Sequence, residues 1–456
     1  MTCFEELRQK YPVFRYDHFQ IDKTSSRVTA RFHFSIPPDI SFTPEVHFEP
    51  VNEGWYSVSD EFLNNAVFHL GLIEAFSYWK STASPAIEVR AGNLSAEQVH
   101  WWEDLLINGM GEFFYRNDID FTAEGFVRMI PAAGAASVAY TSTLPQRSLL
   151  TIGGGRDSAL AAGLLRDSGH RFTCMMLNPS SAARNIASHA TTADAVVIRR
   201  AICPGLLELN RRGFLNGHTP FSAYLAFLGA VCMLLYGYSS VIVANERSSD
   251  EANVRYRGKD INHQYSKSFR FERLFDEYLQ KYLVTNGRYF SYVRPLFEFQ
   301  IGKLFSMFPA FFSLFKSCNR NRSDSWCGQC PKCLSVFLTM YPFVPRSTLT
   351  TIFGSDLFDR VENVSILREL AGFEMKPFEC VATTAEVIGA LALSAAKVKA
   401  SGQPLPAVLQ WASQNIASVA DTRIATSILV SYGPHRIPQE LESFLTKALN
   451  RSPRSL

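Results

Sequence analysis

The tightest limit on how this chain folds is set by Ser148-Leu149-Leu150-Thr151-Ile152, then Gly153-Gly154-Gly155-Arg156-Asp157-Ser158, then the helix-favouring run Ala159 to Arg166. An apolar strand, a glycine turn and a helix in succession open a βαβ crossover. Three consecutive glycines let the backbone approach a bound phosphate, and amides at the helix N-terminus face the anion. Ser158 adds a hydroxyl and Arg156 a cation. Asp157 is the oddity, because a carboxylate beside phosphate is repulsive unless it holds a metal ion or orients the turn. The turn lacks the Gly-Lys-Ser/Thr ending of a Walker A loop, and its spacing does not fit the dinucleotide fingerprint. By glycines alone, a phosphate loop and a tight turn with a capping Asp stand level.

The same alternation continues. Phe172 to Leu177 reads as a strand, Ala182 to Ala190 as a helix, Ala195 to Ile198 as a strand, Tyr224 to Tyr236 as a buried helix and Val241 to Ala244 as a strand. This predicts an α/β fold with an open, largely parallel, doubly wound sheet. Before it, aromatic alternating runs such as Arg27 to Phe34 and Val46 to Phe48 suit antiparallel strands, and Glu61 to Trp79 and His100 to Met110 suit helices, the second with a cap at Ser95. Pro131 to Pro145, poor in aromatics, is the candidate linker. The expected division is an α+β N-terminal domain (1–145), a nucleotide-binding domain (146–345) and a mainly helical region (346–456), with a loose tail at Ser452 to Leu456.

A net charge of +3 over 456 residues gives no electrostatic case for a nucleic-acid partner. Tyr224 to Tyr236 and Leu304 to Phe315 are too short to span a bilayer, so no membrane insertion is expected. Met1 to Arg8 carries two acids and no apolar stretch, which is unlike a signal peptide and makes a cytoplasmic location the default.

Cys318, Cys327, Cys330 and Cys333 cluster, whereas Cys3, Cys174, Cys203, Cys232 and Cys380 are scattered. A Cys-x-x-Cys-x-x-Cys knuckle with a fourth thiol nearby favours a closed structural zinc site, while bare spacing leaves an iron–sulfur cluster open. Asn245 and Glu246 follow a strand and fall at the sheet's carboxyl edge, where Glu246 suits magnesium; a solvated loop is the plainer alternative. His218 lies in a polar loop. His263 and Lys267, four residues apart, suit one helical face and acid, base or anion contacts. Arg294 reads as an exposed arginine on an aromatic turn or as an anion contact. Cys380 is either a proton-transfer thiol or a buried, inert one.

The glycine turn resembles the Ser-Gly-Gly-x-Asp-Ser signature of PP-loop ATP pyrophosphatases, of the adenine nucleotide alpha hydrolase-like fold, with Gly153 where the signature has Ser. The four cysteines resemble the zinc site of the 7-cyano-7-deazaguanine synthases, which are also PP-loop enzymes. Leu207 to Asn210, Asn216 to Ser222, Asn245 to Ser248, Asn262 to Ser268, Trp326 to Cys333 and Pro377 to Cys380 together resemble the MurL family of UDP-N-acetylmuramoyl-L-alanyl-L-glutamate epimerases. The resemblance implies an isomerase that uses ATP and Mg2+ to convert the terminal L-glutamate of UDP-MurNAc-L-Ala-L-Glu to D-glutamate through an acyl-adenylate, releasing AMP and pyrophosphate in cell-wall synthesis. It further implies that Gly153, Gly154, Gly155, Arg156 and Ser158 bind the nucleotide and that Asp157 assists magnesium. Cys318, Cys327, Cys330 and Cys333 are then zinc ligands, and His218, His263, Lys267 and Cys380 candidates for proton transfer. Another PP-loop reaction (amidation, nitrile formation or RNA thiolation) and a zinc-stabilised nucleic-acid-binding protein are the competing readings.

Overall fold

The computed structural model describes residues 4–51, 54–134, 137–320 and 325–450; Cys3 and the tail from Ser452 to Leu456 lie outside the described residues. An eleven-stranded sheet runs through the molecule. Its spatial order is Arg288–Ser291, Ser240–Val243, Ser148–Thr151, Phe172–Leu177, Val196–Ala201, Glu45–Phe48, Val28–Ile36, Val13–Lys23, Ala86–Val89 and Arg128–Pro131, with Ile40–Phe42 paired to Val28–Ile36 off this path.

The first five strands are parallel, as the alternating pattern predicts. The sheet as a whole is mixed. Glu45–Phe48 pairs antiparallel with Val196–Ala201, placing His47 opposite Arg199, and so carries the sheet into the first 145 residues. That pairing satisfies a backbone edge that a free-standing parallel sheet would leave open. The two segments on either side of residue 145 therefore share one hydrogen-bonded sheet.

Side chains alternate across the parallel strands, and the alternation sorts them into two cores. Leu149, Met175, Val241 and Tyr289 face a core shared with the N-terminal helices and with Phe221–Tyr236, whereas Leu150, Cys174, Met176, Ile242 and Phe290 face a core built with the C-terminal helices. Trp102 stacks on Phe227 with centroids 4.7 Å apart, and Arg200 pairs with the buried Glu74 at 2.8 Å, tying the N-terminal helices to the sheet. The apolar helix Phe221–Tyr236 is buried in this way, and no described helix is long and apolar enough to cross a membrane.

Ser95 caps a helix that spans Ala96–Gly109, beginning a turn earlier than the apolar spacing suggests. The reason is local: Ser95 Oγ accepts from the Gln98 amide and Gln98 Oε1 accepts from the Ser95 amide, a reciprocal capping box.

The chain leaves Ser148–Thr151 toward Phe172–Leu177 and Val196–Ala201 on one side, then returns to Ser240–Val243 and Arg288–Ser291 on the other. Loops at the carboxyl ends of strands on either side of such a reversal diverge and leave a crevice. Gly153 to Asp157 and Asn245 to Glu246 both emerge there.

Candidate active site

Gly154 has φ +91°, a conformation that side chains disfavour, and a Cβ there would lie 3.0 Å from the Ala183 amide nitrogen. Gly155 stands at the N-cap of the helix Arg156–Asp167. The turn is braced from outside: the Lys316 amide donates to the Gly154 carbonyl (2.8 Å), and the Arg156 amide donates to Ser317 Oγ (3.3 Å). Ser158 Oγ donates to the Gly155 carbonyl at 3.0 Å. The Arg156 side chain is directed into the protein and is 1% exposed. It donates to Thr339 Oγ1 (2.7 Å) and Asp157 Oδ1 (3.1 Å) and lies 3.3 Å from Glu298. Its charge organises carboxylates in preference to facing the anion side of the turn.

Asp157, Glu246 and Glu298 converge, with one oxygen of each within 4.8 Å of the others. Glu298 is neutralised by Lys332 at 2.7 Å as well as by Arg156. Asp157 is held low: burial raises its pKa, but Arg156, Lys332 and Lys267 lower it further. Glu246 differs. Both its oxygens are buried without a hydrogen-bond partner, and its pKa is raised by burial and by Asp157 against the opposing charge of Lys267. An ionisable group left bare at the sheet's carboxyl edge, beside a second acid, is a donor set suited to a divalent cation with oxygen ligands.

Lys267 connects this acid cluster to a second group. Its Nζ donates to Cys380 Sγ at 3.2 Å, and its pKa is raised because Cys380, Glu246 and Asp157 outweigh the cost of burying it. His263 also adjoins the Cys380 thiol, and its Nδ1 meets Glu112 Oε2. Burial opposes the charge on His263, yet Cys380 and Glu112 raise its pKa to about 9. Its neighbour His218, with ring centroids 4.4 Å apart, is pushed down to about 4 by burial and by the adjacent His263. One imidazole is thus held charged beside one held neutral, an acid beside a base. Burial raises the Cys380 pKa, but Lys267, His263 and Lys332 lower it more, so the thiolate is more accessible than in an ordinary cysteine.

Of the residues singled out in sequence, His263 and Lys267 both adjoin Cys380, with His218 against His263. His263 and Lys267 do not share a helical face. Lys267 ends a short 3-10 turn, Tyr265–Lys267, that His263 precedes, and both adjoin Cys380. Arg294 is not exposed: it is 1% accessible, pairs with Glu272 at 2.8 Å, and donates to the Glu246 carbonyl at 2.6 Å and to the Lys267 carbonyl. It fixes the two loops that carry the site.

The four cysteine sulfurs lie within 4.8 Å of one another. Cys327 and Cys333 are 3.7 Å apart, near the roughly 3.8 Å edge that a tetrahedron with ~2.3 Å zinc–sulfur bonds requires. Gly328, at φ +65°, permits the turn between Cys327 and Cys330, and Cys330 caps the helix Pro331–Met340. The thiols fit a closed metal site.

Glu112, Glu298 and Lys332 were not singled out from the sequence. The signal for Glu112 was a lone acid inside the apolar run Gly111-Glu112-Phe113-Phe114, and Lys332 sits within the cysteine knuckle itself. Glu298 opens the helix Glu298–Phe305, where an acid is ordinary and carried no signal.

Two family descriptions match the chain: MurL N-terminal domain over residues 5–292 and MurL C-terminal domain over residues 314–426. A protein of Xanthomonas oryzae pv. oryzae is 31% identical over 451 residues, covering 97% of this chain and 98% of the relative. A Micromonospora protein is 32% identical over 378 residues (81% and 83%), and one from Salinispora tropica is 32% identical over 394 residues (84% of each). All three are named UDP-N-acetyl-alpha-D-muramoyl-L-alanyl-L-glutamate epimerase. The first matched segment contains Glu112, Asp157, His218, Glu246, His263 and Lys267, and the second contains the four clustered cysteines and Cys380.

Proposed function

The chain belongs to the MurL family, and from that membership we propose that it is an isomerase converting the terminal L-glutamate of UDP-MurNAc-L-Ala-L-Glu to D-glutamate for peptidoglycan synthesis. A carboxylate makes the neighbouring Cα–H a very weak acid, because the enolate would carry a second negative charge. Activation by ATP, with release of AMP and pyrophosphate, turns the carboxylate into a neutral acyl group that stabilises the enolate.

The observation that carries this reading is the position of Lys267. Its ammonium donates to Cys380 and balances Asp157 and Glu246, which joins the glycine turn and the proton-exchanging groups into one site. The turn at Gly153 to Ser158 receives the pyrophosphate end of the nucleotide, with Asn245 as a further nucleotide contact. Mg2+ held by Asp157 and Glu246 supplies charge neutralisation at the phosphates. His218 is held neutral and able to accept a proton, and His263 is held charged and able to donate, while Lys267 is held charged to balance the acids and the thiol. Cys318, Cys327, Cys330 and Cys333 hold a structural zinc; with four protein ligands it has no open position for substrate.

The test is an incubation of protein with ATP, Mg2+ and UDP-MurNAc-L-Ala-L-Glu, followed by chiral analysis of glutamate and by nucleotide analysis. D-Glutamate together with AMP is the expected result. Folded protein that yields neither sinks the reading, and AMP without inversion points to another adenylating reaction.

A further inference from the structure

Cys380, His263 and Glu112 form a chain of contacts that proton exchange alone does not require. His263 adjoins the thiol, which favours its charged form, and Glu112 fixes the imidazole through Nδ1. Glu112 is in turn anchored by Arg116, on the same helix, through Oε1. A nucleophile, an adjoining imidazole and a carboxylate that orients the imidazole are the arrangement of covalent acyl transfer. Here the three come from distant stretches of chain: the helix Gly111–Arg116, the loop before Tyr265, and the loop before the helix Thr384–Ala400.

The loop bearing Cys380 is secured on both sides. Phe378 packs against Tyr115 with centroids 5.3 Å apart, Asn253 Nδ2 donates to the Pro377 carbonyl (2.8 Å), and Glu379 accepts from the Lys332 amide (3.1 Å). On its other flank the thiol receives Lys267, whose charge is shared with Asp157 and Glu246. The sulfur therefore lies between the histidines and the acid cluster where an activated carboxylate forms.

We propose that Cys380 is a covalent nucleophile that takes the glutamyl group from the adenylate as a thioester, on which inversion occurs, with Glu112 as a positioning residue for His263. The inference rests on the ATP-dependent reading above. In the first step the thiolate attacks the acyl carbon, the C–S bond forms, the bond from that carbon to the AMP oxygen breaks, and AMP leaves with the electron pair. The thioester keeps the Cα–H acidified after the nucleotide has gone. Acylation also removes the negative charge that faces His263, so the imidazolium yields its proton more readily and becomes available as a base. Water finally adds to the acyl carbon, the C–S bond breaks, the thiolate is restored, and the carboxylate product leaves with the released protons passing to His263 and solvent.

The experiment uses the full chain with ATP, Mg2+ and UDP-MurNAc-L-Ala-L-Glu, following substrate-dependent ATP–pyrophosphate exchange, AMP, D-glutamate and intact protein mass after an acid quench. Wild type is expected to gain the mass of the substrate less one water, carried on the peptide containing Cys380. Cys380→Ala is expected to exchange pyrophosphate while AMP release and D-glutamate fall together, by at least about a thousandfold. Glu112→Gln is expected to slow adduct formation more than exchange, which a merely structural role would not separate. AMP release by Cys380→Ala at the wild-type rate makes the thiol a proton carrier and overturns the thioester. Wild type that exchanges and makes D-glutamate with no adduct during the first turnovers overturns it as well, without reference to any variant. Wild type that makes D-glutamate without exchange overturns the ATP reading itself, and the thioester with it.

Discussion

Lys267 Nζ lies 3.2 Å from Cys380 Sγ although 113 residues separate them along the chain. Burial alone would keep this thiol protonated, yet Lys267 and His263 reverse the balance. Alkylation of Cys380 by iodoacetamide, followed on its own peptide, should have a midpoint below the ~8.5 of an ordinary cysteine. In Lys267→Met the midpoint should rise by about one unit or more. An unchanged midpoint removes Lys267 as the cause.

His263 titrates at about 9 and His218 at about 4, so neither changes charge between about pH 5 and pH 8. The rate of inversion should be flat across that window as far as these two groups set it. The stability consequence has a definite sign. The folded pKa of His263 is raised, so its pairing stabilises the protein fully below the unfolded value of ~6.5 and is lost as pH rises through about 9. Thermal unfolding of wild type and Glu112→Gln from pH 6 to pH 10 should show a gap that narrows with rising pH. A gap that widens contradicts the charged pairing.

Glu246 is buried with both oxygens unpartnered. Burial raises its pKa, Lys267 opposes the rise and Asp157 adds to it, so its contribution to stability is greatest below the unfolded value of ~4.3 and is lost as pH rises through the folded value. At neutral pH Glu246→Gln should unfold at the same temperature as wild type or higher, since a bare buried charge has been removed. AMP formation should fall at least about a hundredfold. Loss of stability with activity retained would show that Glu246 is structural.

Cys330 and Asp157 should separate structure from chemistry. Elemental analysis of the purified chain is expected to find one zinc, and Cys330→Ala should lose it and unfold at a lower temperature, because metal binding free energy is folding free energy. Asp157→Ala should retain zinc and lose AMP release. A Cys330→Ala protein with wild-type stability, or an Asp157→Ala protein with wild-type AMP release, reverses the assignment.

The glycine turn, the cysteine knuckle and the strand–helix alternation were legible in sequence because each is a local pattern, set by backbone freedom at Gly154, thiol spacing and side-chain period. The placement of Glu246 was legible for a similar reason: it lies just past the strand Ser240–Val243, and the ends of parallel strands face one way. What Arg156 does was not, since the same guanidinium at a helix start can face an anion or turn inward, and only the buried Glu298 and Thr339 decide that it turns inward. Likewise, His263 and Lys267 have a helical spacing that the backbone does not use, because both are drawn to a thiol from another part of the chain.

By itself the sequence determined the local devices: a glycine turn at a helix start, a cluster of four thiols, and a supply of titratable side chains. Tertiary structure alone decided which of those groups form one site. Glu112, His263, Lys267 and Cys380 are brought together by long-range pairing and packing across the two cores, and the charges of His263 and Cys380 follow from burial and mutual contact, neither of which any short stretch of sequence contains.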